Sequence, residues 1–316
     1  MGIVSRAQLE ASLAGLRTHV DDPRAGILGP RSLAWRLGGD LAIFAGGGRA
    51  ALLQLAHPMV AHAIDHHSRT RADIAGRFQR TFHHVFAMVF GDLDDALAAA
   101  RRVHTIHARI HGVFADAHGA WPAGTRYDAN DEEALCWVHA TLVDTTLCVR
   151  EQLEGPLPIA IKDRYVVEMR RFAALFGIPD ARLSDGWADH ARYMRTMLGT
   201  GHLVITPAAR EMAGFLFGRG GARVAAPTPL GRLAEAVTVA LLPPVLSAGF
   251  GLTASPRAGR LALEVFRGVY RRLPAAAVAL PARVGGERRL AGLGPSAGAA
   301  WVERQLFGLA RRTTGA

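Results

Sequence analysis

Lysine is almost missing from this chain: of its 37 basic side chains, only Lys162 is not an arginine. Cysteine is scarce as well. Cys136 and Cys148 are too few for a disulfide framework, and their apolar helical setting reads as two buried thiols in a reducing compartment. The first residues contain no apolar leader core, and Arg6 stands where a myristoylation signal wants Ser or Thr, so a cytoplasmic protein is expected. Runs of alternating β-branched residues are few, which speaks against a sheet-based fold. There is no H-E-x-x-H, no Walker loop, no G-x-S-x-G and no G-x-G-x-x-G after a strand. Those absences remove the common zinc-protease, P-loop, serine-hydrolase and dinucleotide classes. Glutamate is absent between Glu10 and Glu132.

What is present is apolar and basic. Half of the 316 residues are hydrophobic and 20% are charged, the balance of a globular chain. The net charge of +10 is unevenly placed: residues 1–200 carry 22 basic and 22 acidic side chains, residues 201–316 carry 15 Arg against 5 Glu. No motif or aromatic interleaving supports a nucleic-acid partner. A solvated face, or a peripheral membrane contact through the basic C-terminal third, is expected instead. Ala236–Pro256 is uncharged over a near-membrane-spanning length, but Pro243 and Pro244 break it. A helix ending at the prolines, followed by an apolar crossing segment beneath the surface, is the expectation. The alternative is a monotopic contact, because Arg232, Arg257 and Arg260 flank the run.

Ala, Leu, Arg and Glu at helical spacing predict helices at 6–18, 46–66, 72–90, 92–112, 130–154, 159–176, 184–198, 207–217, 229–242, 256–272 and 299–312. The fold class is all-α, one multi-helix domain. Its divisions are an N-terminal segment at 1–25, a catalytic domain at 26–284 and a C-terminal helical extension at 285–316.

Eleven of the 14 histidines fall between His57 and His139. His104, His107 and His111 recur at three- and four-residue spacing, one face of a helix. The same window holds Arg77, Arg80 and Thr81, again on one helical face. Such a set suits a haem iron with one imidazole below and a polar pocket above, or a non-haem iron or zinc site. The latter wants a carboxylate, as in Glu-x-x-His; Asp65, Asp73 and Asp116 are nearby, but no Glu is. Spacing leaves haem ahead. His66, His67, His83, His104 and His118 sit beside charged residues and read as surface histidines.

Seven runs occur in order: GGGRAALLQLAHP (46–58), HS (67–68), GRFQRTFHHVFAMVFG (76–91), VHTIHARIHG (103–112), YDANDEEALCWVHATLVDT (127–145), LLPPVLSAGFGL (241–252) and RRLPAAAVALPARV (271–284). Together, from Gly26 to Val284, they resemble the latex-clearing protein (rubber oxygenase) and MpaB-type oxygenase family. The resemblance implies an all-α fold with a globin-like three-over-three core and additional helices. It also implies a non-covalent b-type haem with one histidine ligand, and use of dioxygen to cleave a C=C bond of a hydrophobic small molecule, lipid or isoprenoid-like. His107 aligns with the iron ligand, and His111, one turn on, is its competitor or lines the pocket. Arg77 and Thr81 match a distal motif, where they would hydrogen-bond dioxygen. Arg80 replaces a lysine that ligates iron in a closed form, and a guanidinium has no lone pair to do so. The family's distal glutamate has no counterpart, leaving Asp65 or His57 in its place; His57 would line the pocket or shuttle protons. That departure, and the lack of a secretion signal, count against a polymer substrate. A non-enzymatic haem sensor or carrier and a peroxide-using haem enzyme fit the same residues.

Overall fold

The computed structural model describes residues 2–66, 74–218 and 229–307. The described residues form sixteen α-helices: α1 (Arg6–Thr18), α2 (Leu33–Gly38), α3 (Gly47–Leu55), α4 (Pro58–His66), α5 (Ile74–Phe90), α6 (Leu93–His107), α7 (Glu132–Glu154), α8 (Ile159–Ala174), α9 (Trp187–Gly199), α10 (Pro207–Leu216), α11 (Pro229–Leu241), α12 (Pro244–Gly249), α13 (Pro256–Tyr270), α14 (Ala275–Val278), α15 (Pro281–Leu290) and α16 (Ala297–Phe307). The all-α class holds. Among the described residues the strands form a two-stranded antiparallel ribbon, β1 (His111–Val113) with β2 (Arg126–Asp128), that pairs Gly112 with Tyr127.

Caps account for many helix starts. Ser5 and Gln8 close a capping box on α1, and the carboxylates of Asp92 and Asp131 accept backbone N–H groups at the starts of α6 and α7. Two predicted helices differ from the observed ones. The run 46–66 is split at His57, because Pro58 occupies the first position of α4 and removes the amide that would continue α3. The run 92–112 ends at His107. Beyond it the Ile110 amide turns back to the His107 carbonyl, the Ile110 carbonyl accepts from Ala129, and β1 takes up the ribbon ladder. Gly112 permits that pairing, since a side chain there would meet the Tyr127 hydroxyl.

The axis of the molecule is α7, whose buried residues run round its whole circumference. It packs against α2, α3, α8 and α13. Leu9, Leu13 and Leu16 of α1 join α6, α7 and α8 in the largest core cluster. A second cluster sets Leu52, Leu53 and the wholly buried Trp137 against Met194, Met197 and the apolar crossing segment. In that segment α11 stops at the prolines, and Leu242, Leu246 and Phe250 are buried, as the sequence predicts. Among the described residues no helix is long and apolar enough to cross a membrane.

A buried ion pair anchors the approach to α3. Arg150 of α7 lies 2.7 Å from Asp40, which also accepts the Tyr270 hydroxyl of α13 at 2.6 Å. Asp40 in turn caps the 3-10 turn Leu41–Gly46 that leads into α3. Helices α11 and α13 approach closely, and a Cβ on Gly259 would overlap the Ala236 carbonyl. Gly259→Val should therefore lower stability by about 1–3 kcal/mol through overpacking, read as a shift in the thermal unfolding midpoint; an unchanged midpoint would mean the two helices separate at no cost.

Candidate functional site

The α3–α4 junction places His57 where no solvent reaches it. Its carbonyl accepts the Ala61 amide of α4, its amide donates to the Gln54 carbonyl, and neighbouring Ala56 is tied to Val204 at 2.8 Å. The ring faces Trp121, with centroids 5.4 Å apart, and Trp121 meets His202 edge-on while donating its Nε1–H to the His202 carbonyl. Neither ring nitrogen of His57 has a hydrogen-bond partner among the described residues. Burial, helped by the charge of His202, lowers its pKa to about 3, so the imidazole stays neutral with one N–H and one lone pair.

One turn and a half along α4, His62 and His118 bring their Nε2 atoms to 3.1 Å, so one ring donates and the other accepts. Phe114 and Tyr127 flank His62. His118, expected on the surface, is half-buried in this stack because Trp121 pairs with its backbone across a turn. Asp65, half-buried on α4, raises the Tyr127 pKa together with burial, the larger cause.

The three histidines read as one helical row have separate fates. His104 is buried, not solvated. Its Nε2 lies 2.9 Å from the Val4 carbonyl, which can only accept, so the proton sits on Nε2. The N-terminal strand of residues ahead of α1 covers it. His107, half-buried, ends α6; because α5 and α6 pack antiparallel through the short turn at Gly91 and Asp92, it lies at the same end of that hairpin as the start of α5. His111 sits on β1 and is exposed. Thr81 of α5 is exposed too. The side chains of Arg77 and Arg80 lie outside the described residues. The aromatic cluster thus gathers His57 but neither Thr81 nor His111.

A second polar centre, which the sequence reading missed, lies along α7. Arg49 of α3 is buried and spreads its guanidinium over Asp144 (2.5 Å), the Thr145 hydroxyl (2.7 Å) and the Leu241 carbonyl (3.0 Å). His190 of α9 stands 3.5 Å from the other Asp144 oxygen, an electrostatic contact longer than a good hydrogen bond. Burial alone would raise the Asp144 pKa, but His190 and Arg49 outweigh it and hold the carboxyl below its ordinary value. His139, also on α7, donates to the Met169 carbonyl at 3.0 Å, and burial lowers its pKa to about 4. Burial pushes the Cys136 thiol up to about 12. A cavity of about 20 Å³, room for one water, opens between His139, His190, Cys136 and Tyr193. Arg49 lies in the GGGRA run and Asp144 in the WVHATLVDT run, so both were in view. Their pairing is invisible in the chain because 95 residues separate them.

Among the described residues no cluster of three or more His, Cys, Asp or Glu side chains could hold a bare metal ion. Haem would ask for one imidazole and not for such a cluster: His57, buried and neutral against Trp121, is one, and His107 at the end of α6 is another. No curated protein and no solved structure matches the chain. Residues 35–275 match the family model described as ER-bound oxygenase mpaB/B'/Rubber oxygenase, catalytic domain, a span that covers α3, the α5–α6 hairpin, all of α7 and α13. The chain therefore belongs to the MpaB and rubber oxygenase family and is an oxygenase of that type.

Proposed function

We propose that the chain is a haem-b-dependent oxygenase acting on a hydrophobic small molecule, lipid or isoprenoid-like, with dioxygen as co-substrate and oxidative C=C cleavage as the reaction. The observation that carries this reading is His57, a fully buried neutral imidazole with no hydrogen-bond partner among the described residues, inside an oxygenase catalytic domain. Haem, when bound, supplies an iron that activates dioxygen. In this reading His107 holds the iron, and His111 is its competitor one stretch along the chain.

The protein's own side chains then have defined tasks. His57 offers one N–H and one lone pair at the pocket wall, and its pKa near 3 keeps it from taking up a proton at neutral pH. It orients a polar group there and leaves the pocket uncharged. Trp121 and the buried Met59 exclude water around it. By resemblance to the family, Arg77 and Thr81 of α5 would supply hydrogen bonds to dioxygen, while Arg80, a guanidinium, would add positive charge and could not ligate iron. The apolar lining favours an uncharged substrate.

Full-length protein from haem-replete cells should carry an extractable b-type haem, because there is no C-x-x-C-H attachment sequence. The check is an absorption spectrum before and after dithionite, with haem extracted and identified. His107→Ala should lose most haem and His111→Ala should keep it with an altered spectrum. A colourless, metal-free preparation counts against the reading, and iron or zinc without porphyrin replaces it with a non-haem centre. Oxygen uptake coupled to loss of an isoprenoid or lipid distinguishes an oxygenase from a haem carrier.

A further inference from the structure

α13 is apolar over about half its circumference, and only part of that half is used. Gly259 and Leu263 face inward, Gly259 directly onto α11. On the adjoining arc, Leu261, Val265 and Val269 follow at intervals of four, and each is more than half exposed. The partner helix α11 also carries exposed leucines, Leu230 and Leu233, at 75% and 50% exposure. An aliphatic stripe of this length, open to water, is uncommon on a protein that exists alone.

The next arc of the same helix is cationic. Arg257, Arg260, Arg267 and Arg271 fall on one side of the exposed stripe, with Glu264 among them. Over residues 229–274 there are six arginines and two glutamates. One of the two, Glu235, is buried and accepts the Thr253 amide, so Glu264 is the one acidic side chain on this exposed surface. Aliphatic residues bordered by arginines are the two halves of an interfacial helix. The aliphatic side enters the acyl boundary by roughly 5–10 Å, and the guanidinium groups stay with the phosphates.

We propose that the exposed face of α11 and α13 docks the protein on an anionic phospholipid bilayer, with Leu230, Leu261 and Val265 inserted and the arginine row on the headgroups. The charge pattern selects this occupant over a second copy of the chain. An antiparallel two-fold pairing of the stripe would bring two arginine rows together, and no self-pairing gives those rows the anionic partner that a phospholipid surface supplies. The proposal does not depend on haem, since it uses no residue of the candidate site.

The test is co-sedimentation of the full-length protein with vesicles of phosphatidylglycerol and phosphatidylcholine, against vesicles of phosphatidylcholine alone. Binding to the anionic vesicles only, falling as salt is raised, is the expected result. Arg260→Gln with Arg267→Gln should weaken it by on the order of tenfold or more, since each arginine near an anionic surface contributes severalfold. Leu261→Ser with Val265→Ser should abolish binding that survives in high salt. Both pairs are exposed, so circular dichroism and the thermal midpoint should be unchanged; a variant that fails this control is replaced by Leu230→Ser. Equal binding to both vesicle types, or none to either, overturns the proposal. So does a light-scattering mass that drops from dimer to monomer in the Leu261→Ser, Val265→Ser protein, which would make the face a contact between copies.

Discussion

Arg150→Ala should lower the unfolding free energy by about 3–5 kcal/mol, the usual cost of leaving one partner of a buried ion pair alone. Arg150 and Asp40 are 3% and 8% exposed, so water cannot replace the lost guanidinium. The substitution also strips donors from the Leu37 carbonyl (2.6 Å) and the Tyr270 hydroxyl (2.9 Å). Urea denaturation at pH 7 reads the effect. Adding Asp40→Asn to Arg150→Met should recover much of the loss, because the stranded charge is then gone. Were the single variant as stable as the parent, the buried pair would be hydrated in solution. The consequence reaches the candidate site, because Asp40 caps the turn from which α3, and therefore His57, is suspended.

Acid should unfold the protein over a wide range that begins near neutrality. His57 and His139 have folded pKa values of about 3 and about 4, both lowered mainly by burial, while an unfolded histidine titrates near 6.5. Both values are depressed, so between those limits the unfolded chain binds more protons than the folded one. Stability is fully present above about pH 6.5 and is lost as pH falls toward the folded values. Each histidine contributes a slope of about 1.4 kcal/mol per pH unit within its window. Urea midpoints at half-unit steps from pH 7.5 to 4.5 measure the combined slope. His57→Phe should take about 1.4 kcal/mol per pH unit out of it. A stability profile flat from pH 7 to 5 would mean that neither imidazole is buried in solution.

Much of the fold was legible because its signals are local. Capping side chains sit within three residues of the amides they satisfy, so Ser5, Asp92 and Asp131 announce α1, α6 and α7 in the chain itself. The Pro243-Pro244 pair ended α11 as expected, and the ordered motif runs carried the family. The errors also share a cause. Pro58 fits a helix interior badly and a first helical position well, and the choice between them is made by what packs on Ala56 and His57. His111 was placed on the α6 face because periodicity continues past His107. The ribbon with β2 captured it, a pairing with residues 126–128 that helical periodicity, which compares positions three and four apart, does not register.

For the site, residue chemistry was readable and residue environment was not. An all-α chain, a histidine-rich window, a cationic C-terminal third and the oxygenase family are all readable along the chain, since each follows from composition, spacing or ordered short motifs. It takes the packed helices to make His57 a neutral, wholly buried imidazole, to hold His104 on the Val4 carbonyl, and to bring Arg49, Asp144 and His190 into one centre. Histidine is equally at home charged in water or neutral in a core, and the difference is the desolvation imposed by neighbours. For these residues the neighbours come from far along the chain: Asp144 and His190 are 46 apart, Val4 and His104 100, His57 and His202 145. Their identity is set by how the helices pack around α7, not by the residues on either side.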